Sequence, residues 1–435
     1  MDEIRKAKLR DEMRDLLIEY HKIAHAKGKF EPGKSKINYA GRVFDEKEML
    51  ASLDTLLEFY LTLGGRGAQF EREISQILGL KYGVLTNSGS SANLLAVSAA
   101  CSWMYSRRLH AGDEVITVAA GFPTTVNPMI QNNLVPVFVD VELGSYAIDI
   151  SKLEAAVSDK TRAIMFAHTL GNPPDMQAIT EFAAKHNLLL IEDCCDALGG
   201  KFDGKPLGSF GQMATFSFYP AHHITMGEGG AIATDTKLLD KILRSIRDWG
   251  RSCWCDPGKS NTCGVRFDFK IGGVPYDHKY IYDNIGYNLK PLEMQAAIGL
   301  EQLRKLPSFV EARKRNFKRL YEGMQKHSEA FMLPKWHKKA EVSWFGFPLT
   351  IRKESGFKIR ELQLFLDGAG IESRRLFSGN LTKQPAYREA KYRISGGLEN
   401  SDIVMENSFF LGVYPGIAEA ECNYMLKKMG EFLKK

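Results

Sequence analysis

Four of the seven cysteines have a spacing that could bind a metal. Cys195 is followed by Cys253, Cys255 and Cys263 in the pattern C-x57-C-x-C-x7-C, and the last three lie in the polar segment RSCWCDPGKSNTCG. Four thiolates suit either zinc or an iron–sulfur cluster. The spacing is not a standard zinc-finger signature and zinc would supply only rigidity, but the residue types alone leave both metals open. Because Cys195 lies two residues after Asp193, a redox centre here would be close to any ligand of that carboxylate.

A second group of residues has the composition of a phosphate site. The segment TNSGSSANLLAVSAA follows a predicted strand and opens a predicted helix. Backbone amides near Gly89 and Ser90 would then lie at the positive end of a helix dipole, and the hydroxyls of Ser90 and Ser91 add donors. The alternative is that these small residues only cap the helix.

Two further groups could act on a bound ring. Asp193 ends the apolar run LLLIED, where its carboxylate could pair with a protonated pyridine nitrogen and keep the ring an electron sink, or could merely cap the next helix. His222 and His223 are adjacent, and an imidazole can move protons near neutral pH. If the backbone is extended here, the two side chains point oppositely and one of them faces the ligand. A structural or surface histidine is the alternative.

These residues must be positioned by a sheet whose strands alternate with helices. Strands alternating with helices predict a mainly parallel, doubly wound sheet, in which ligands bind beyond the carboxyl ends of the strands. The phosphate segment, Phe122, Asp193 and the chain from Ser217 onward all fall at that edge. The predicted strands are YGVLT, EVITVA, VPVFVDV, RAIMFAH, LLLIED, ATFSF and GAIATD.

Composition narrows the class of protein. The 435 residues carry a net charge of +6 from 58 basic and 52 acidic side chains, with no long run of one sign, so we expect no nucleic-acid partner. We find no uninterrupted apolar stretch long enough for a membrane helix and no signal-peptide pattern at the N-terminus, so we expect a cytoplasmic protein with no membrane partner. An odd number of cysteines, 7, argues against a disulfide framework.

The chain is long enough for two domains. We predict an N-terminal helical segment over residues 1–50 that packs with the small domain, a large ligand-binding domain over 51–305, and a small C-terminal α/β domain over 306–435. The large domain includes the cysteine-rich loop 252–264. A helix from near Pro291 and a second, charged helix around 310–327 are expected to link the domains.

Eight segments together resemble the sugar aminotransferase and dehydrase family of fold-type I, pyridoxal-phosphate-dependent enzymes over nearly the whole chain. The resemblance implies phosphate contacts from Gly89, Ser90 and Ser217, with Phe122 stacked on the cofactor ring and Asp193 on its pyridine nitrogen. It also implies that Asn288 reaches the phosphate of the neighbouring subunit's cofactor, so the active unit would be a homodimer. The segments are RGAQFE (66–71), SGSSAN (88–93), GFPTTVNP (121–128), GNPPDM (171–176), IEDCCDALGG (191–200), GSFGQMATFSF (208–218), GEGGAIATD (227–235) and GYNLKPLEMQAAIGLEQL (286–303).

The chain departs from the family at one position. Family aminotransferases read S-F-x-x-x-K where this chain reads SFYPAH, so His222 stands at the position of the Schiff-base lysine. Imidazole cannot form that covalent link, which implies a non-covalently held pyridoxamine 5'-phosphate (PMP) with His222 as the catalytic base. Asp196 and Tyr219 also look unusual for the family, and either they tune the site or they reflect drift. The arginines Arg374 and Arg375 are read as surface residues or as diphosphate ligands.

The departure at His222 together with the four cysteines resembles the iron–sulfur branch of the family. This implies a 2Fe-2S cluster on Cys195, Cys253, Cys255 and Cys263, electrons from a separate flavin/iron–sulfur reductase, and removal of the C3 hydroxyl from a nucleotide-linked 4-keto-6-deoxyhexose. The expected substrate is CDP-4-keto-6-deoxy-D-glucose, and the expected products are dideoxy-sugar precursors for O-antigen. The alternatives are a nucleotide-sugar aminotransferase and a non-catalytic sensor on the same fold.

Overall fold

The computed structural model describes residues 2–26, 28–255 and 259–434. These residues form α-helices α1 Asp2–Ala24, α2 Glu46–Glu58, α3 Gly65–Ile77, α4 Gly89–Ala100, α5 Pro123–Gln131, α6 Leu153–Ala156, α7 Met176–Lys185, α8 Lys237–Arg247, α9 Glu293–Met324, α10 Ile359–Gly368, α11 Glu399–Asn407 and α12 Glu419–Phe432.

The same residues also form β-strands. They are β1 Tyr82–Thr86, β2 Glu114–Val118, β3 Val135–Val139, β4 Thr161–Ala167, β5 Leu189–Asp193, β6 Lys201–Phe202, β7 Lys205–Pro206, β8 Met213–Ser217, β9 Gly230–Thr234, β10 Phe269–Ile271, β11 Val274–Tyr276, β12 Phe331–Met332, β13 Ala340–Glu341, β14 Gly346–Ile351, β15 Ser373–Arg375, β16 Arg393–Ile394 and β17 Ser408–Gly412.

The main sheet has the order β1-β9-β8-β5-β4-β2-β3-β16 and carries all seven predicted strands. Its pairs are parallel except those of β9, which is antiparallel to both β1 and β8. Strands β2, β3, β5 and β8 are buried along their whole length, as expected for a sheet covered by helices on both faces. The doubly wound α/β prediction is therefore confirmed, and the carboxyl ends of β4, β5 and β8 share one edge.

A second, antiparallel sheet of order β12-β14-β17-β15 has its own core with α10, α12 and part of α9. This sheet and the C-terminal helix α12 lie within the residues predicted to form the small C-terminal α/β domain. Ile37 bridges to Ile371 and is buried in this core, so part of the N-terminal segment packs with the small domain. Helix α1 instead lies on α2, where Arg10 and Arg14 pair with Asp54.

Two details differ from the sequence-based expectation. The linker is one continuous helix, α9, rather than two, and Pro307 lies inside it. Proline removes one backbone donor, but Leu303, Leu306, Phe309 and Val310 are buried on either side and hold the helix in place. Strand β16, from the C-terminal third of the chain, extends the main sheet by pairing with β3. No helix among the described residues has both the length and the apolarity needed to cross a membrane.

A buried ion-pair network joins α3, β1 and α8. The Glu71 carboxylate accepts hydrogen bonds at 2.8 Å from both Arg244 and Arg247, and at 2.9 Å from the Leu85 amide. Burial acts against ionisation of Glu71, but the two arginines outweigh it and lower its pKa. The Arg247 side chain is 3% exposed, so loss of the carboxylate would leave a guanidinium buried without this partner.

We expect Glu71→Gln to lower the free energy of unfolding by about 3 kcal/mol at pH 7, because it breaks a buried pair. Folding lowers the pKa of Glu71, so its contribution is present above the unfolded value of 4.5 and is lost as the pH falls through the folded value. Urea unfolding at several pH values should therefore show a difference from wild type that shrinks below pH 4.5. Glu73→Gln, on the same helix but less buried, is the control. A difference that does not change with pH would contradict this assignment.

Candidate active site

A cavity of about 880 Å³ opens at the carboxyl edge of the main sheet, between that sheet and the small domain. It brings together most of the residues singled out from the sequence. Those that line it are Gly89, Ser90, Phe122, Asp193, Cys195, Ser217 and His222. Asn288, Cys253, Cys255 and Cys263 lie elsewhere on the same chain.

The phosphate cradle forms where α4 meets β8. Ser88 caps α4 by accepting a 3.1 Å hydrogen bond from the Ser91 amide, which leaves the first amides of the helix directed at the cavity. A Cβ atom on Gly89 would lie 2.4 Å from the Cβ atom of Ser217, so only glycine permits this approach. The exposed Ser90 and the Ser217 hydroxyl border the same space. This arrangement suits an anion such as a phosphate.

Asp193 is held at the carboxyl end of β5 by three neutral donors. Its Oδ2 atom accepts hydrogen bonds from Asn93 at 2.8 Å and Thr125 at 2.7 Å, and its Oδ1 atom accepts from the Cys195 amide at 3.1 Å. Asn93 is fixed in turn by Thr215, which donates to Asn93 Oδ1 at 2.6 Å. Asp193 is 4% exposed. A buried carboxylate with neutral donors gains most from a cationic partner, such as a protonated ring nitrogen.

Phe122 offers a flat apolar surface beside this carboxylate. It precedes α5, with Pro123 at the first helical position, and its ring is 51% exposed. Phe377 from the small domain contacts it edge-on, with ring centroids 6.0 Å apart. An exposed aromatic ring that is fixed at the base of a cavity is suited to stacking on a planar ligand.

His222 reaches the same cavity from the segment after β8. Its Nδ1 atom lies 3.3 Å from Asp196 Oδ1, close enough for an ion pair when the imidazole is protonated, although the two lack hydrogen-bond geometry here. Its backbone carbonyl accepts a 2.9 Å hydrogen bond from the buried Arg313, and its ring packs on Phe345 at 5.4 Å. Burial lowers the pKa of Arg313 to about 10, and Asp196 opposes this fall. The imidazole is therefore fixed in place and has a carboxylate beside it.

His223 points the other way, into the interior. Its Nε2 atom lies 2.8 Å from the Ser343 carbonyl, and burial lowers its pKa well below the usual range, so its ring stays neutral. The expectation of an extended backbone here is wrong: the His222 amide donates to the Tyr219 carbonyl at 2.9 Å, which makes a turn. The two side chains diverge because the chain turns between them.

Sequence reasoning left out several residues that line the cavity from the small domain and the N-terminal segment. Arg374 lies 4.3 Å above the ring of Tyr39, and both line the cavity with Arg375. The pair of arginines was visible in the sequence, but nothing there showed that β15 would face the cavity. Tyr39 gave no signal at all, because it comes from a loop far away in the chain.

Asn288 does not line the cavity of its own chain. It is exposed and bridges to Asp248, while the next residue, Leu289, accepts a 2.8 Å hydrogen bond from the Asn87 amide. The segment that carries Asn288 is therefore anchored behind the phosphate cradle and directs Asn288 outward.

Three of the four cysteines meet in a separate place. Cys253, Cys255 and Cys263 line a small second cavity together with His278, whose Nδ1 atom is 3.7 Å from Cys263 Sγ. Residues 256–258 of the predicted loop 252–264 lie outside the described residues. Burial acts against ionisation of Cys255, but hydrogen bonds from Thr262, Cys253 and Cys263 lower its pKa to about 6. Three thiols that line one small cavity suit a soft metal centre.

A fully buried group of His168, Glu192 and Cys194 has a different role. His168 Nε2 lies 3.1 Å from Glu192, and the Glu192 carboxylate also accepts the amides of Gly208, Phe210 and Gly211 at 2.7–2.9 Å. Burial raises the pKa of the Cys194 thiol well above its usual range. The Glu192 carboxylate therefore holds the turn before β8.

Comparison with known proteins agrees with this geometry. The profile of the DegT/DnrJ/EryC1/StrS aminotransferase family matches residues 44–430. The lipopolysaccharide biosynthesis protein RfbH of Salmonella typhimurium is 49% identical over 427 residues, which covers 98% of each chain. The dTDP-4-dehydro-2,6-dideoxy-D-glucose 3-dehydratase of Saccharopolyspora spinosa is 48% identical over 93% of this chain and 88% of its own.

Solved structures show the same fold. A mutant of GDP-4-keto-6-deoxymannose-3-dehydratase (ColD) with bound GDP-perosamine matches with a TM-score of 0.82 and 32% identity, covering 90% of this chain and 100% of that one. The Escherichia coli GDP-4-keto-6-deoxy-D-mannose-3-dehydratase with bound hydrated pyridoxal phosphate (PLP) matches with a TM-score of 0.81 and 33% identity over 90% and 99% of the two chains. The fold is thus that of fold-type I PLP-dependent enzymes.

The low pKa of Cys255 can be checked by alkylation. In reduced, metal-free protein at pH 7, iodoacetamide should modify Cys255 at least about tenfold faster than Cys101, because the thiolate is the nucleophile. The pKa of Cys255 is lowered to about 6, whereas burial raises that of Cys101 to about 12. Peptide mass spectrometry over a time course gives both rates. A Cys255 rate that does not fall as the pH is lowered through about 6 would contradict the assignment.

Proposed function

Because the chain belongs to the DegT/DnrJ/EryC1/StrS aminotransferase family, we propose that it is a nucleotide-sugar 3-dehydratase that uses PMP. It removes the C3 hydroxyl of a nucleotide-linked 4-keto-6-deoxyhexose without transferring an amino group. The relatives that support this reaction are the 3-dehydratases of Saccharopolyspora spinosa and Escherichia coli.

The main support for the proposal is that a histidine, His222, lines the cavity as the candidate base. His222 lines the cavity on the segment where family aminotransferases have lysine, and no lysine is present among the described residues that line it. An aminotransferase needs that lysine amine to bind its cofactor covalently. A sensor would not need His222, Asp193 and the phosphate cradle to converge on one space.

The residues fit the cofactor in three places. The α4 amides at Gly89 and Ser90, with the Ser217 hydroxyl, would hold its phosphate. Phe122 would stack on the ring, and the neutral donors around Asp193 leave that carboxylate available for a protonated ring nitrogen. When bound, PMP supplies an amine that condenses with the sugar ketone and a conjugated ring that accepts electrons.

The chain's own residues then move one proton. His222 takes a proton at the C4' carbon of the cofactor, and Asp196, 3.3 Å from the other ring nitrogen, stabilises the imidazolium that results. Asp193 would keep the ring nitrogen protonated, which is the form in which the bound cofactor would act as an electron sink for loss of the C3 hydroxyl. Arg313 holds the His222 backbone in position for this transfer.

The substrate's nucleotide would extend toward the small domain. Arg374 and Arg375 border the cavity on that side, and guanidinium groups suit a diphosphate. We propose CDP-4-keto-6-deoxy-D-glucose as the substrate and O-antigen synthesis as the pathway. The lipopolysaccharide role in the name of RfbH supports the pathway. Relatives use dTDP- and GDP-linked sugars, so turnover assays with all three nucleotides should test the base preference.

The electrons for release of the deoxysugar would come from a cluster. We propose a 2Fe-2S centre that uses the cysteines at 195, 253, 255 and 263 and receives electrons from a separate NADH-dependent flavin/iron–sulfur reductase. We also propose a homodimer in which Asn288 reaches the partner subunit's cofactor phosphate, because Asn288 is exposed and does not line the cavity of its own chain. A cytoplasmic location stays a prediction from the sequence.

The role of His222 can be tested by His222→Asn. This variant should bind PMP as wild type does, because the cradle, Phe122 and Asp193 remain, but should lose about 10²- to 10⁴-fold in the rate of hydroxyl exchange. The measurement is oxygen-18 entry from labelled water into the sugar C3 hydroxyl, with a fluorescence titration for PMP. The control is His186→Asn, a histidine that pairs with Glu154 at the surface. Near-normal exchange in His222→Asn would refute the assignment.

The two halves of the reaction can be separated by Cys253→Ser. Wild-type protein purified without oxygen should contain about two iron and two acid-labile sulfide per chain. Cys253→Ser should lose that iron and form no 3-deoxy product with the reductase and NADH, yet should still exchange oxygen-18 at C3. Cys101→Ser, outside the loop, should behave as wild type. If Cys253→Ser makes product at the wild-type rate, the cluster has no redox role.

A further inference from the structure

Within one chain the four cysteines do not form one site. Cys195 lines the large cavity beside Asp193 and His222, whereas the small cavity is lined by residues between Cys253 and Lys279, so the two cavities share no residue.

Both places are fixed by their own hydrogen bonds. The Cys195 amide donates to Asp193 at 3.1 Å, and the preceding Cys194 amide donates to the Thr215 carbonyl at 2.8 Å. In the loop, the Ser252 amide donates to Ile281 at 2.8 Å, and Arg266 forms an ion pair with Asp277 at 2.5 Å. These contacts hold Cys195 and the loop cysteines in their separate places within the chain.

The segment 249–292, which carries the three thiols, exposes many large apolar side chains. Exposed apolar side chains concentrated in this way are typical of an interface with another protein. Ile285 is 100% exposed, Phe267 66% and Val274 60%. The other large hydrophobic side chains exposed along this segment are Trp249, Trp254, Ile271, Tyr276, Tyr280, Tyr282, Tyr287 and Leu292. Phe122 and Tyr219, which line the large cavity, are exposed as well.

We propose that a second copy of this chain covers this surface, so that one cluster is held by Cys253, Cys255 and Cys263 of one subunit and by Cys195 of the partner subunit. A two-fold dimer buries the same pair of surfaces twice, which places each loop at the partner's cavity and yields two equivalent clusters. Each cysteine binds as a thiolate and releases one proton to solvent. The inference specifies the ligands of the cluster in the proposed function and rests on it.

Features of the chain itself favour a second copy as the partner that covers this surface. The loop offers three thiols and lacks a fourth cysteine. The large cavity offers one thiol, that of Cys195, and none of the loop cysteines lines this cavity within the same chain. Asn288, on the same exposed segment, also points away from its own cavity. The rival is a site within one chain that uses His278 as the fourth ligand, since its Nδ1 atom is 3.7 Å from Cys263 Sγ.

Mixed dimers distinguish these arrangements by metal content alone. A Cys195→Ser chain and a Cys263→Ser chain, with different affinity tags, are coexpressed and the heterodimer is purified through both tags. One of its two shared sites then has all four cysteines, so it should hold about half the wild-type iron and sulfide, whereas each variant homodimer holds none. The reciprocal heterodimer pairs wild type with the double variant Cys195→Ser/Cys263→Ser and should hold none.

A cluster within one chain gives the opposite pattern, none in the first heterodimer and about half in the second, and overturns the inference. Full iron in Cys195→Ser homodimers, together with loss in His278→Asn, also overturns it in favour of the rival. Both patterns leave a cluster in the protein, although the second replaces Cys195 by His278 as a ligand, whereas wild-type protein without iron refutes the cluster itself. Circular dichroism and size-exclusion chromatography confirm that each variant is folded and dimeric.

A crosslink in wild-type protein gives a second measurement that needs no variant to fold. Diamide oxidises two thiols to a disulfide and takes up their two electrons and two protons. In metal-free protein it should join Cys195 to a loop cysteine between chains, which gives a species of twice the chain mass on a non-reducing gel. Peptide mapping that finds Cys195 joined to the loop at single-chain mass would overturn the inference.

Discussion

The position of one buried carboxylate determines the rest of the site. Asp193 closes β5 in the middle of the sheet, with three neutral donors and little contact with water. Desolvation of a carboxylate is costly unless a positive group compensates it. In the proposed function, a protonated ring nitrogen bound in the cavity would supply that positive group. Cofactor binding and electron withdrawal would then depend on the same interaction.

The topology of the sheet places the other groups around this carboxylate. Parallel strands β4, β5 and β8 end at one edge, so Cys195, Ser217 and the His222 turn follow from neighbouring strands. Helix α4 starts at the same edge, and its first residues, Gly89 and Ser90, line the same cavity as Asp193. Gly89 permits this because Ser217 occupies the space that a side chain would need. The small domain adds cations from β15.

The local parts of this arrangement could be predicted from the sequence, and the long-range parts could not. Apolar runs between helical patterns gave the seven main strands, because burial on both faces leaves a strong signal. The continuous helix α9 was missed because Pro307 reads as a break, although tertiary packing holds it. The positions of Arg374 and Tyr39 at the cavity depend on contacts between segments that are far apart in the sequence. The cysteine spacing showed which residues are suited to metal, but it could not show that Cys195 lies apart from the other three.

Because His222 stands where family aminotransferases have lysine, the protein must also hold this side chain in a different way. A lysine covalently linked to the cofactor is held by that bond, whereas an imidazole must be held by the protein. Here Arg313 fixes the His222 backbone and Phe345 packs on its ring. Asp196 places a negative charge 3.3 Å from Nδ1 and also stabilises the buried Arg313 cation. A neutral residue at 196 would leave Arg313 without that compensation and would place no charge beside His222. In the proposed function, the acid at 196 is therefore the electrostatic counterpart of the histidine.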